Sequence, residues 1–489
     1  MNPYIIAGIV VGYFGLLILI SHITSKRANN DTFFTGNRKS PWFVVAYGMI
    51  GASLSGVTFM SVPGYVQTTQ FTYFGVVIGY LFGYLAIALV LLPLYYKLNL
   101  TSIYTYLGKR FGSNSQKTGA SFFILSRLLG SALRMYLVVF VLYEFVFKYI
   151  GIPFWCLALF FILLILVYTF KGGIKTVIWT DTLQTTFMLL STIVTAIYLL
   201  KEMDISLFDM LRDAADAGYT KVYESDWRSN NFFWKQVISG AFITIAMTGL
   251  DQDMMQKNLT CKSLRSAQKN MMSFSLSLIV VNFLFLALGV ALLFYANRTG
   301  FQLPEKSDSI FPAVAFHLNT FTCLVFVIGL VAAGYSSADG TLTALTTTFC
   351  FDILDFGKDN KHSEEQKMKI RKMVHIGFAA VYFAIIMIFK PFHNDSLIKT
   401  LFDIAGYTYG PLLGLFCFGL FIKNRQPNDK FVPFIAILSP VLSYTINIYS
   451  EELLFGYKFG FEILILNGLL TFIGLLLCNK KTTPETIQQ

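Results

Sequence analysis

Residues 329 to 349 read GLVAAGYSSADGTLTALTTTF. The run is apolar enough to cross a membrane, yet it carries Ser336, Ser337, Asp339, Thr343, Thr346 and Thr347. Intervals of three, four and seven bring Ser336, Asp339, Thr343 and Thr346 to one side of a helix. Hydroxyls and a carboxylate in hydrocarbon are costly unless something uses them, and oxygen ligands in a dry site suit a small hard cation. The stripe reads as a sodium-binding wall.

A second place offers oxygen ligands of another kind. In segment 43 to 69, Gly48, Gly51, Gly56, Pro63 and Gly64 weaken the helix, and Ser53, Ser55 and Thr58 stand beside the weak point. Non-helical backbone at membrane depth survives where it is buried in protein or lines a cavity. The freed carbonyls near Gly51 and Leu54 are therefore candidate ion ligands. A packing helix whose hydroxyls bond back to their own backbone would account for the same residues.

Two charged groups could add to this chemistry. Arg134 lies about mid-span in SRLLGSALRMYLVVFVLYEF, seven residues beyond Arg127. An arginine at that depth needs a cavity or an acidic partner. It either anchors a substrate carboxylate through its bidentate guanidinium or forms a structural pair with Asp339 or Asp181. Asp181, in KGGIKTVIWTD, either caps the helix or pairs with Lys175 near the membrane face, or reaches inward toward the 336 to 343 stripe.

The elements that must position these groups are apolar helices. Mean hydropathy is +0.61, hydrophobic residues make up 55% of the 489 and charged residues 13%, which sets the chain apart from ordinary soluble domains. Windows of about 20 mostly apolar residues, the length of a membrane span, recur to give an all-α polytopic membrane protein with thirteen predicted transmembrane helices. They cover approximately 4 to 22, 43 to 69, 73 to 96, 118 to 147, 152 to 170, 174 to 200, 233 to 250, 271 to 296, 321 to 350, 374 to 390, 398 to 422, 431 to 449 and 459 to 478. Residues 1–489 read as a single transmembrane domain. The first segment lacks a basic start and a cleavage site, so it reads as a retained helix.

The net charge of +11 is not a nucleic-acid signature. Most of the 38 lysines and arginines fall in alternate loops, and the positive-inside rule then sets the N-terminus outside and the C-terminus in the cytoplasm of a cell-membrane protein. The six cysteines and five histidines form no metal cluster or disulfide frame. Gly75, Gly79 and Gly83 mark a close helix contact, and Glu144 and Lys148 a local pair. Segment 201 to 232 carries a short helix near Leu207 to Ala214. The charged stretches 249 to 270 and 351 to 373 read as solvated loops.

Segment 233 to 250 is interrupted by Gly and Thr, five spans after 43 to 69. Interrupted helices at matching places in two halves point to an inverted-repeat transporter with its site near the midplane. The repeats would cover 43–200 and 233–422.

The strings GASLSGVTFMSVPG, KGGIKTVIWTDTLQ, GLDQDMMQKNL and AAGYSSADG resemble the sodium:solute symporter family over nearly the whole chain. The resemblance implies a LeuT-like five-plus-five inverted repeat, with one leading helix (4–22) and two trailing helices (431–478). It implies a main sodium site from the carbonyls of Gly51, Leu54 and Ala333 and the hydroxyls of Ser336 and Ser337. A second sodium site would use Asp181 with positions 339 and 340, where members with that site have serines and this chain has Asp339 and Gly340. Sialic-acid-type members place an arginine where Arg134 stands, and Ser53, Ser55 and Thr58 match their substrate-facing stretch.

The expected function is sodium-coupled symport of a small carboxylate-bearing solute by a membrane protein acting as a monomer. Symport of a neutral sugar, polyol or amino acid, or nutrient sensing on the same scaffold, are the alternatives. No nucleophile with a paired base, metal cluster or cofactor motif supports an enzyme.

Overall fold

A computed structural model describes residues 3–26, 28–357, 362–389 and 397–481. Fifteen helical segments carry the architecture, labelled here in chain order. These are α1 Pro3–Thr24, α2 Trp42–Ser53, α3 Gly56–Thr69, α4 Phe74–Lys97, α5 Ser113–Phe145, α6 Phe154–Gly172, α7 Ile174–Glu202, α8 Phe233–Thr244, α9 Gln252–Leu259, α10 Leu264–Thr299, α11 Thr320–Thr348, α12 Glu364–Phe389, α13 Leu397–Phe421, α14 Val432–Ile448 and α15 Ile463–Leu477. A two-stranded antiparallel sheet pairs Arg425–Pro427 with Asn479–Lys481. The expected short helix in 201 to 232 is present as Leu207–Asp216, and Lys148 holds Glu144 at 2.9 Å.

Each of the thirteen apolar windows contains helix, but their count as spans is not reproduced. Among the described residues eight helices are long and apolar enough to cross a membrane, nine with α2 and α3 taken together. Phe154–Phe170, α14 and α15 are apolar but shorter. Window 233 to 250 is α8 followed by a π turn, Ile245–Gly249.

Two helices break. Between α2 and α3 the axis bends by 61°, with Leu54 at φ −87, ψ 45 and Ser55 at φ −37, ψ 173. Between the π turn and α9, Leu250 and Asp251 leave helical geometry, and the Asp251 side chain caps α9 by accepting from the Met254 N–H. Broken backbone in a dry interior must find partners. At the second break it does so through two tyrosine hydroxyls, Tyr95 donating to the Gly249 carbonyl at 2.9 Å and Tyr104 to that of Leu250 at 2.8 Å. The stretch 249 to 261 is buried throughout, so this half of the second broken helix is core and not the solvated turn its charges suggest.

The solvated reading of 351 to 373 is also corrected in part. Asp352 is fully buried, accepting from the Ser102 hydroxyl and from Gln116 Nε2 at 2.7 Å, and Arg371 is buried too. Residues 358–361 lie outside the described part of that loop.

α11 runs through the middle of the bundle, with every residue from 329 to 348 buried. α7 and α5 flank it, and α2, α3 and α9 pack on it near the breaks. α4 and α8 meet along the glycine face expected from Gly75, Gly79 and Gly83. A Cβ at position 79 would collide with the Val237 carbonyl and lie 2.9 Å from both Ala241 N and Gly240 Cα.

Overpacking a rigid contact costs about 1–3 kcal/mol. Gly79→Ala is therefore expected to lower the melting temperature of the purified protein in detergent. Gly8→Ala, where a Cβ meets nothing within 4 Å, should not. Equal melting of the two variants would show that the α4–α8 contact is not tight.

Candidate functional site

The hydroxyl stripe of α11 divides once its partners are known. Thr341, Thr343, Thr346 and Thr347 donate to the carbonyls of Ser337, Asp339, Leu342 and Thr343, one turn back in their own helix. Such bonds satisfy a buried hydroxyl locally. Thr346 also meets His375 Nδ1 at 2.8 Å, and Thr347 accepts from Gln256 Nε2 at 3.0 Å, whereas the side chains of Ser336, Ser337 and Asp339 are engaged by α2, α5, α6 and α7.

Ser336 Oγ donates to the Gly51 carbonyl at 2.8 Å and lies 3.2 Å from the Ala333 carbonyl. Three oxygens from the α2 break and from α11 thus converge on one buried point. The Gly51 N–H also donates to Thr185 Oγ1 at 3.0 Å, which ties the break to α7. The donor set suits a hard cation: turning the Ser336 proton away would leave hydroxyl and carbonyl oxygens facing the same space. Leu54 is buried at the break. The Ser337 hydroxyl points elsewhere, accepting from an Arg134 guanidinium nitrogen at 3.2 Å.

Arg134 lines a cavity of about 60 Å³ with Ser53, Leu54, Thr58, Thr244 and Thr248. Ser55 is not among its walls; it is buried at the break, and its hydroxyl has no hydrogen-bond partner among the described residues. The cavity is small beside the ~300–1,000 Å³ of a typical ligand pocket. Tyr73 separates it from a vestibule of about 590 Å³ near Asn230 and Lys458, bordering both spaces. The Tyr73 hydroxyl meets that of Tyr80 at 3.1 Å.

Arg134 does not pair with Asp339 or Asp181. Arg127 has the acidic partners, bonding Asp253 and lying 3.6 Å from Asp251, while the Tyr409 hydroxyl donates to Asp251 at 2.5 Å. Asp339 accepts from the Tyr168 hydroxyl at 3.1 Å, from Thr180 Oγ1 at 3.2 Å and from the Gly340 N–H at 2.6 Å. Asp181 reaches inward, and its partner is Lys257 at 2.9 Å, not Lys175.

Sequence reasoning passed over Arg127, Lys257, Asp251 and Asp253 as site residues, and with them the tyrosines. Thr244 and Thr248 were within reach of it, four apart in the interrupted span 233 to 250.

A model of the sodium:solute symporter family matches residues 33–430. The chain belongs to that family. Its members are transporters, and the coupling ion of this one is sodium. The sodium/sialic acid symporter of Proteus mirabilis is 26% identical over 460 residues, covering 89% of this chain and 88% of its own. The sodium/sialic acid symporter of Aliivibrio fischeri is 26% identical over 446 residues, covering 88% and 85%.

Among solved structures, a substrate-bound, outward-open Na+-coupled sialic acid symporter superposes with a TM-score of 0.83 at 23% identity. The superposition covers 98% of this chain and 99% of the other. A nucleobase-cation-symport-1 family transporter in a closed conformation gives 0.57 at 12% identity, covering 92% and 94%. The superpositions show the fold, and this chain carries two broken helices, α2/α3 and α8/α9, a feature characteristic of inverted-repeat transporters.

Proposed function

We propose that this symporter carries a small organic anion bearing a carboxylate, of the sialic acid type, into the cell with sodium. The observation that carries this reading is Arg134. It is buried, faces the cavity and donates to the Ser337 hydroxyl, while Asp181, Asp251, Asp253 and Asp339 are each engaged elsewhere. A buried guanidinium with no carboxylate of its own among the described residues is suited to one brought by a substrate. The sodium/sialic acid symporters among its relatives support the same class.

Sodium binds at the carbonyls of Gly51, Leu54 and Ala333 and the hydroxyls of Ser336 and Ser337, and substrate at Ser53, Ser55, Thr58 and Arg134. The Ser337 hydroxyl joins the two sites. While it accepts from Arg134 its oxygen faces a positive charge; a substrate carboxylate that takes the guanidinium frees it for sodium. Each ligand then favours the conformer that binds the other, as coupling requires.

Repeats 43–200 and 233–422 rock about this point, with 4–22 leading and 431–478 trailing, N-terminus outside and C-terminus in the cytoplasm. The carrier acts as a monomer. One net charge crossing 100 mV releases ~2.3 kcal/mol, about 50-fold of accumulation; a monovalent anion moving with a single sodium ion carries no net charge and draws on the sodium concentration gradient instead.

The test is uptake of radiolabelled sialic acid and a panel of other carboxylates and neutral sugars into proteoliposomes holding the purified chain. Concentrative uptake of an acid that needs an inward sodium gradient is expected. Sodium-driven uptake of neutral sugars alone would overturn the anion reading.

A further inference from the structure

Around Asp181 three helices place a cation that the protein itself supplies. Lys257, on α9, is buried to 1% exposure, and its Nζ lies 2.9 Å from Asp181 Oδ2 on α7 and 3.4 Å from Asp253 Oδ1. Gly340 of α11 closes the third side. A Cβ at that position would stand 2.9 Å from the ammonium and collide with Asp253 Oδ1. The neighbouring Asp339 carboxylate is turned to Tyr168 and Thr180. The missing side chain at 340 is therefore what makes room for the lysine.

A buried ammonium is stable only where carboxylates compensate it, and Lys257 has two. A sodium ion bound to the same carboxylates would stand at contact distance from a like charge in a medium that screens poorly. The two cations exclude each other. The Asp181 carboxylate has the Lys257 ammonium as its cation at 2.9 Å, where a metal ion would otherwise stand.

We propose that the Lys257 ammonium is a tethered replacement for a second coupling ion at Asp181, Asp339 and Gly340, so that this chain binds one sodium ion per cycle. The inference rests on the sodium site at Ser336, and the two fail separately. Equilibrium binding of 22Na+ to the purified full chain, without substrate, is expected to saturate at one ion per protein. Ser336→Ala should weaken it by about 100-fold. Lys257→Met combined with Gly340→Ser, which removes the charge and supplies a hydroxyl, is expected to raise the count to two and to steepen the sodium dependence.

Two ions on the unmodified chain would overturn the tethered-cation reading and leave the Ser336 site standing. No bound sodium would overturn both. Because the count on the unmodified chain needs no variant, misfolding of the double substitution cannot rescue the proposal.

Discussion

Ser336→Ala is expected to raise the sodium concentration for half-maximal uptake by about 100-fold, equivalent to roughly 3 kcal/mol. The hydroxyl lies within 3.2 Å of two carbonyl oxygens from different helices, so its loss removes a ligand from the centre of the cluster. It also leaves the Gly51 carbonyl, at a helix break, without its donor. An unsatisfied buried acceptor costs about 1–3 kcal/mol, and that cost falls on the joint sodium is meant to order. Thr343→Ala is the matched control, because the Thr343 hydroxyl serves the Asp339 carbonyl of its own helix. It should leave the sodium dependence where it was. A Ser336→Ala protein with unchanged sodium dependence would remove Ser336 from the site.

What made Ser336 legible was contrast. A hydroxyl in an apolar window stands out because hydropathy treats each residue alone, and the break in α2/α3 stood out because glycines and serines collect there. The same habit hid the second half of the site. GLDQDMMQKNL reads as a surface turn, yet 249 to 261 is buried, because Asp181, Asp253, Lys257 and Arg127 neutralise one another across three helices. No one-residue scale can see charges that cancel only after folding. Nor could spacing separate the arginines of α5. Residues 127 and 134 share a helix face, and which of them has acidic partners is decided by α9. The spare glycine at 340 was visible as a departure from the resembling family, but its cause, the volume of a lysine side chain, lies 83 positions away in the chain.

That difference between the two arginines yields the second large effect. Arg134→Gln keeps a polar side chain in the cavity but removes the charge that would face a carboxylate. Losing one partner of a buried charge pair costs about 2–5 kcal/mol, so uptake of an acidic substrate is expected to fall about 30-fold or more, while the primary amide of the same substrate should be little affected. The substitution also takes the guanidinium off Ser337. Sodium binding without substrate should then tighten, and the help that substrate gives to sodium should vanish, since the hydroxyl is already free. Arg127→Gln should behave differently, because it takes the guanidinium from Asp251 and Asp253 and leaves them only Tyr409 and Lys257. There the expected loss is folded protein, read as a lower melting temperature, with sodium and substrate coupling unchanged in what remains. If Arg134→Gln instead kept full uptake of the acid and lost stability, Arg134 would be a structural residue, and the coupling through Ser337 would fall with the anion site.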